Sequence, residues 1–281
     1  MSTSSAALPA RQTQNGVVLQ WANTIAVIVT IVFNILSQAL PIGVDTNAVL
    51  ANQYNPYNYF LPANYVFGIW GVIYLGMIAF AWWQSRPEQR ANPRFHAVGW
   101  WFVIGSLGNI GWLILFQNLQ FAASMIPLVT LLVTLGIIYV RIRQSQRPAG
   151  TLERVGLFGF ISLYFAWSAV ATVANGAFIL LSMQFGVTNV NIAAAITPEL
   201  ISQYQTWGAV MLVVAGLIAT TVAFTNGDLV YAGVIVWAFV GIIVRHSDIA
   251  AVVIPAAVMA ALALAGAVVG MMRLRKGAHS A

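Results

Sequence analysis

The sequence predicts an all-α fold: a polytopic membrane bundle of eight transmembrane helices. Composition is the first reason. The chain is 60% hydrophobic and only 6% charged, whereas a water-soluble domain carries about 25% charged residues. So few charges cannot cover a folded globule in water. The second reason is that apolar stretches recur at lengths near the roughly 20 residues a helix needs to cross hydrocarbon. The third is that the basic residues fall in short runs at alternate breaks between those stretches, as membrane topology requires.

The helices are expected at about 18–41, 62–84, 98–117, 121–143, 155–181, 204–225, 229–245 and 249–272. The first follows a polar N-terminal tail, residues 1–17, and has no small-x-small cleavage site behind it, so it reads as a retained span. The second opens at Pro62, in PANYVFGIWGVIYLG. A proline can begin a helix without wasting an amide, because first-turn amides have no intrahelical partner. Breaks are marked by NQYNPYN near Asn55, SRPEQRANPR from Ser85, RQSQRPAG from Arg143 and FGVTNVN from Phe185. The joins at Asn118–Gln120 and Asn226–Asp228 are so short that each pair of spans must form a tight antiparallel hairpin. Pro127 and Pro255 are expected to kink their helices.

Charge sets the sidedness. Arg86, Arg90 and Arg94 lie between spans two and three. Arg141, Arg143, Arg147 and Arg154 lie around the break between four and five, and Arg273, Arg275 and Lys276 in the tail. The segments 42–61 and 182–203 have no basic residue. Both termini and the arginine-rich loops are therefore expected in the cytoplasm, with Arg245 the one dissenter. A bacterial inner or plasma membrane is the expected location. The formal charge of +6 follows from this topology, and a nucleic-acid role is disfavoured.

Several chemistries are excluded or unsupported. With no cysteine there is no disulfide, thiol catalysis or cysteine metal site. No Asp, Glu or Lys stands in the middle of a span, where ion-coupled transporters keep such groups. Asp45, Glu199, Asp228 and Asp248 read as solvated loop residues. No catalytic residue and no metal ligand is assigned, so an enzyme is not the favoured class. The polar groups that do enter the membrane are neutral: Asn34, Gln38, Asn109, Thr130, Thr134, Ser168, Thr172 and Asn175. Each needs a hydrogen-bond partner inside the bundle, because lipid offers none. Gly105, Gly108, Asn109 and Gly111 form a small-residue face that lets another helix come close.

The chain has ten tryptophans. Trp21, Trp82, Trp83, Trp100, Trp101 and Trp207 sit at span ends, where the half-wet headgroup layer suits the ring. Trp70, Trp112 and Trp167 lie inside spans, each with a partner at a helical interval: Tyr74 four residues on, Asn109 three before, and Ala171 and Asn175 four and eight on. Brought together, three such faces make a concave, mostly apolar pocket with a few polar hooks, the usual form of a small-molecule site. Plain core filling is the alternative.

These residues also carry a resemblance. The chain resembles the TspO/MBR family, the tryptophan-rich sensory proteins related to the translocator protein (peripheral benzodiazepine receptor). The family's second helix begins Pro-Pro-x-Trp-Val-Phe-Gly-Pro-x-Trp-x-x-Leu-Tyr. Pro62, Val66, Phe67, Gly68, Trp70 and Tyr74 are similar to it, with Ala63 for the second proline, Tyr65 where the first tryptophan is expected, and one residue fewer before Trp70. The third-helix pattern Leu-Asn-x-x-Trp, with an aromatic four beyond, compares with Gly108, Asn109, Trp112 and Phe116. The fifth-helix pattern Pro-Tyr-Leu-x-Trp-x-x-Phe-Ala-x-x-Leu-Asn compares with LYFAWSAVATVAN, where Tyr164, Trp167, Ala171 and Asn175 match.

The resemblance implies a TspO-like five-helix core over 18–181; residues 182–281 carry three further membrane helices and a basic tail that the quoted family pattern does not explain. It implies a cavity that takes porphyrins, haem among them, capped by the first loop. Trp70, Tyr74, Asn109, Trp112, Phe116, Tyr164, Trp167 and Asn175 become the candidate ligand-binding residues. In the loop NQYNPYNYFLPAN, residues 52–64, Tyr54, Tyr57, Tyr59 and Phe60 suit a lid over a flat ligand, and suit an interfacial belt as well. The Ala/Val/Gly-rich last helices could buttress the core or pair two copies as a homodimer. The leading expectation is a sensor-like membrane protein that binds a flat hydrophobic molecule. A transporter or channel for a neutral or amphipathic molecule, and a ligand-free structural or assembly protein, stand as alternatives.

Overall fold

The computed structural model describes residues 10–53, 57–145, 147–185 and 196–279. The tail up to residue 9, Tyr54 and the break at 186–191 lie outside the described residues. Among the described residues all the regular secondary structure is helical, with no strand. Its long helices are α1 (Ala10–Ala39), α2 (Ile69–Gln84, preceded by a 3₁₀ turn Asn64–Gly68), α3 (Trp101–Gln117), α4 (Phe121–Arg143), α5 (Phe160–Phe185), α6 (Pro198–Asn226), α7 (Leu229–Arg245) and α8 (Ala250–His279). Among the described residues, six helical stretches are long and apolar enough to span a membrane, while α3 and α7 are shorter apolar helices. This is an integral membrane helical bundle.

The boundaries differ from the expectation where the sequence carries no breaker. The first helix begins at Ala10, because nothing between Ala10 and Val17 stops it. Pro62 does not start α2. Ala63, extended at φ −60° and ψ 150°, is the cap, and Pro62 stands just ahead of it. The fifth span is entered through a short helix at Thr151–Glu153 and a π-helical stretch, Arg154–Gly159. There Gly156 lets the chain press on α2: a Cβ on it would stand 2.9 Å from the Ala79 carbonyl oxygen.

The two tight hairpins form as expected, each with a left-handed residue. Leu119 (φ 61°) turns α3 into α4. Gly227 (φ 58°) closes α6, and Asp228 caps α7 by accepting from the Val230 and Tyr231 amides.

Glycines set the close helix pairs. Built Cβ atoms on Gly105 and Gly108 would lie 2.6 Å from Thr134 Oγ1 and 2.7 Å from the Pro127 carbonyl oxygen, so α3 and α4 nearly touch backbone to backbone. Asn109 leaves that ridge and faces α1 instead. Pro127 and Pro255 stay within unbroken helices.

The tryptophans divide. Trp21, Trp82, Trp100 and Trp207 are exposed on the lipid-facing surface, but Trp83 is buried, tilted against Phe80 with centroids 6.2 Å apart. Trp101 is half-buried, with the Arg141 guanidinium 5.4 Å from its ring centre. Thr130, Thr134, Ser168 and Thr172 satisfy their hydroxyls on carbonyls of their own helices rather than across the bundle. Asp228, expected as a solvated loop residue, is buried and paired with Arg143 at 2.6 Å.

Candidate functional site

The candidate site lies where α1, α2, α3 and α5 converge, towards the end of the bundle away from the arginine-rich loops. A cavity of about 380 Å³ opens there. Its volume falls in the range of small-molecule sites, roughly 300–1,000 Å³. Each helix contributes one stripe at helical spacing. From α5 come Trp167, Val170, Ala171, Ala174, Asn175 and Phe178; from α3, Trp112, Leu113 and Phe116; from α2, Trp70 and Tyr74; from α1, Asn34, Ile35 and Gln38. The roof is made by Asn47 and Ala51 of the short helix Asn47–Gln53, and by Leu61, Pro62 and Phe67.

The rings are held by one another. Trp167 stands edge-on to both Phe67 (6.0 Å, 87°) and Trp70 (6.4 Å, 86°), and Trp70 lies 5.9 Å from Tyr74. Such edge-to-face pairs place a positive ring edge on a negative ring face. Phe116 packs with Phe121 and Phe178 at 5.0 and 5.2 Å, which seats Trp112 from behind.

Amides rather than charges supply the polarity. Asn34 Nδ2 donates to Asn109 Oδ1 at 2.7 Å and to the Thr30 carbonyl at 2.8 Å, joining α1 to α3. Trp112 Nε1 makes a long 3.5 Å approach to Asn175 Oδ1, which also accepts from Ser124 Oγ at 3.3 Å. Gln117 gathers the strand of chain leaving α1: it donates to the Ser37 carbonyl (3.1 Å) and Asn47 Oδ1 (2.9 Å), and accepts from the Ile42 amide (3.0 Å). Among the described residues, no Asp, Glu, Lys, Arg or His lines the cavity.

Of the eight ligand-binding candidates, Trp70, Tyr74, Trp112, Phe116, Trp167 and Asn175 line this one cavity. Asn109 and Tyr164 stand one layer back, Asn109 behind Asn34 and Tyr164 against the Trp70 ring at 6.2 Å. Asn109 Nδ2, the Tyr164 hydroxyl and Trp167 Nε1 are buried without a hydrogen-bond partner among the described residues. Of the lid candidates, Tyr57 is half-buried, Tyr59 is buried beside His246, and Phe60 is buried edge-on to Phe239 (6.1 Å, 86°); none of them is among the lining residues. Leu61 and Pro62 take the roof position.

Val170, Ala174 and Phe178 also line the cavity, although Val170 and Ala174 depart from the fifth-helix motif and Phe178 lies beyond it. They continue the Trp167–Ala171–Asn175 face at three- and four-residue steps, so the signal was available. Asn34 and Gln38 were noted only as polar membrane residues. Leu61, Phe67 and Ala51 had no periodic signal, since they lie on irregular or short elements.

A family model described as a TSPO-like protein matches residues 20–270. The chain belongs to that family. The match runs on past residue 181, through α6, α7 and the first two thirds of α8, so this TSPO-like protein is covered by its family pattern beyond the helices that bear the tryptophan motifs. No curated protein and no solved structure matches the chain.

Proposed function

We propose that this TSPO-like protein is a sensor-like receptor that binds a flat, largely apolar molecule, a porphyrin or related tetrapyrrole, in the cavity between α1, α2, α3 and α5. The observation that carries this reading is the convergence of Trp70, Trp112 and Trp167 with Tyr74, Phe67 and Phe116 on one uncharged cavity. Aromatic walls suit a planar ring system, and the Asn34, Gln38 and Asn175 amides offer the few polar groups that fix orientation. The propionates of a porphyrin would find no cation inside and would stay at the mouth. Among the described residues no His or Met lines the cavity, so haem would gain no strong nitrogen or sulfur ligand from them and should bind about as well as the metal-free ring.

In the same reading the arginine-rich end, with both termini, faces the cytoplasm, and the cavity lies towards the opposite leaflet. The segment 18–181 carries the pocket and 182–281 supports it.

The test is titration of the purified protein in detergent with protoporphyrin IX and with haem, followed by tryptophan fluorescence and porphyrin absorbance. Saturable binding at micromolar ligand, weakened in Trp112→Phe and Trp167→Phe, supports the reading. Non-saturable binding, or equal binding by all three folded proteins, overturns it.

A further inference from the structure

The roof of the cavity is the part of the wall with the least secondary structure of its own. Between the short helix Asn47–Gln53 and α2, the described chain at 57–63 has no helical hydrogen-bond ladder to satisfy its backbone. Buried backbone groups need partners; the Leu61 and Phe60 amides pair locally with Asn58, whose Nδ2 donates to the Ala174 carbonyl of α5, and several of the rest are met from one helix distant in sequence. Trp237 Nε1 donates to the Val66 carbonyl at 3.0 Å. The Ala63 amide donates to the Gly241 carbonyl at 3.0 Å. His246, the residue that ends α7, holds the Leu61 carbonyl at 3.3 Å through Nε2. Arg245 Nη1 donates to Asn52 Oδ1 at 2.9 Å, and Asn52 Nδ2 in turn donates to Asn64 Oδ1 at 3.0 Å.

The contacts alternate with the cavity wall. Leu61 and Pro62, which face the cavity, lie between or beside the atoms that α7 holds, and Phe67 follows Val66. Trp237 also packs edge-on to Tyr65 (5.2 Å, 85°). Gly241 keeps the approach close, since a Cβ on it would stand 2.1 Å from Val66 Cγ2. Arg245 is the basic residue that breaks the charge asymmetry of the bundle, and here it has a specific polar partner in the roof.

We propose that α7, through Trp237, Gly241, Arg245 and His246, positions the roof of the cavity and thereby sets how tightly and how long a ligand is held. These are positioning residues, since none of them lines the cavity. A roof fixed before binding costs a ligand less ordering than a loose one. The inference rests on the ligand-binding reading only for its second half; the first half, that α7 fixes the roof, stands on its own.

The sequence has no cysteine, so a single nitroxide at Val49→Cys, an exposed roof position, reports roof motion by electron paramagnetic resonance in lipid nanodiscs. The variants are Trp237→Phe, which keeps the ring and removes the donor, Arg245→Met, and Arg245→Lys as the conservative rescue. Tyr231→Phe, on the same helix near Asp228, is the control for general loosening. The expected result is a more mobile label in Trp237→Phe and Arg245→Met, partial restoration in Arg245→Lys, and no change in Tyr231→Phe. Protoporphyrin IX dissociation should quicken about tenfold in the first two variants, equivalent to about 1.4 kcal/mol. Equal label mobility in all folded proteins, or an equal rise in Tyr231→Phe, overturns the proposal. If the wild type binds no porphyrin, the ligand reading fails while the label still decides whether α7 fixes the roof. If porphyrin binds and its dissociation is untouched by both α7 variants, this inference fails alone.

Discussion

Arg143 Nη2 lies 2.6 Å from Asp228 Oδ2, and this contact joins the end of α4 to the α6–α7 hairpin. The same carboxylate oxygen accepts from Tyr139 OH at 2.9 Å and Ser162 Oγ at 2.6 Å, while Oδ1 accepts from the Val230 and Tyr231 amides. Every lone-pair direction of Asp228 is thus in use, and helices α4, α5 and α7 meet on one side chain. A charge this buried is tolerated only because its partners are complete.

Removing one member of that pair is therefore expected to cost more than removing both. Asp228→Ala leaves Arg143 part-buried without its carboxylate and also removes the α7 cap, so a loss of about 3 kcal/mol is expected. The double variant Arg143→Met with Asp228→Leu should lose less than Asp228→Ala alone. Thermal unfolding in detergent, followed by helical circular dichroism, measures both. A double variant worse than the single would sink the account.

Gly241 and Gly233 offer a matched pair on one helix. A Cβ on Gly241 would enter the Val66 side chain and press on Pro62 at 3.1 Å, whereas a Cβ on Gly233 meets nothing within 4 Å. Gly241→Ala is expected to destabilise by about 1–3 kcal/mol through overpacking. Gly233→Ala should be neutral or stabilising by up to about 1 kcal/mol, from reduced backbone freedom in the unfolded chain. Equal melting temperatures for the two variants would contradict the close α7–roof contact.

These two cases mark what the sequence made legible. The helices were readable because hydropathy and the roughly 20-residue span length act locally along the chain. The aromatic stripe of the site was readable for the same reason: Trp70 with Tyr74, and Trp167 with Asn175, share a face whatever the tertiary fold. Asp228 looked like a loop residue because its cap role is local but its Arg143 partner is 85 residues away. The roof was illegible for a stronger reason. Its partners Trp237 and Arg245 lie 171 and 193 residues from Val66 and Asn52, and neither side of the contact has a period that advertises the other. Trp83 was misplaced because its position at a span end fits an interface anchor, while its neighbours on α2 turn it inward.

Asn23 tests the interior of α1. It is fully buried, and neither atom of its amide has a partner among the described residues. An unpaired buried amide carries a desolvation penalty of about 1–3 kcal/mol. Asn23→Leu, close in volume, is accordingly expected to raise stability by about 1 kcal/mol, read as a higher melting temperature. A clear fall would show that Asn23 holds a bound water whose loss outweighs the relief.

His246 gives the roof a pH dependence. It caps the end of α7, buried beside Tyr59 at 5.3 Å, and holds the Leu61 carbonyl. Burial pushes its pKa below the ordinary 6.5, and the neighbouring Arg245 pushes the same way; the Leu61 carbonyl, Asp248 and the Asn58 backbone oppose them. A histidine whose folded pKa is depressed binds fewer protons folded than unfolded between the two values. Stability therefore rises with pH across that window, and is lost as pH falls through about 6.5 towards the lower folded value. The expected outcome is a melting temperature lower at pH 5 than at pH 7.5, with greater mobility of a label at position 49 at the lower pH. In His246→Gln, which keeps a donor for Leu61 but does not titrate, the part of this difference that comes from His246 should vanish. Asp248→Asn, by removing an opposing charge, should lower the histidine pKa further, so that the loss of stability still begins near pH 6.5 but extends to lower pH and becomes larger. An unchanged pH profile in His246→Gln would assign the effect to other groups and leave the roof insensitive to this residue's charge.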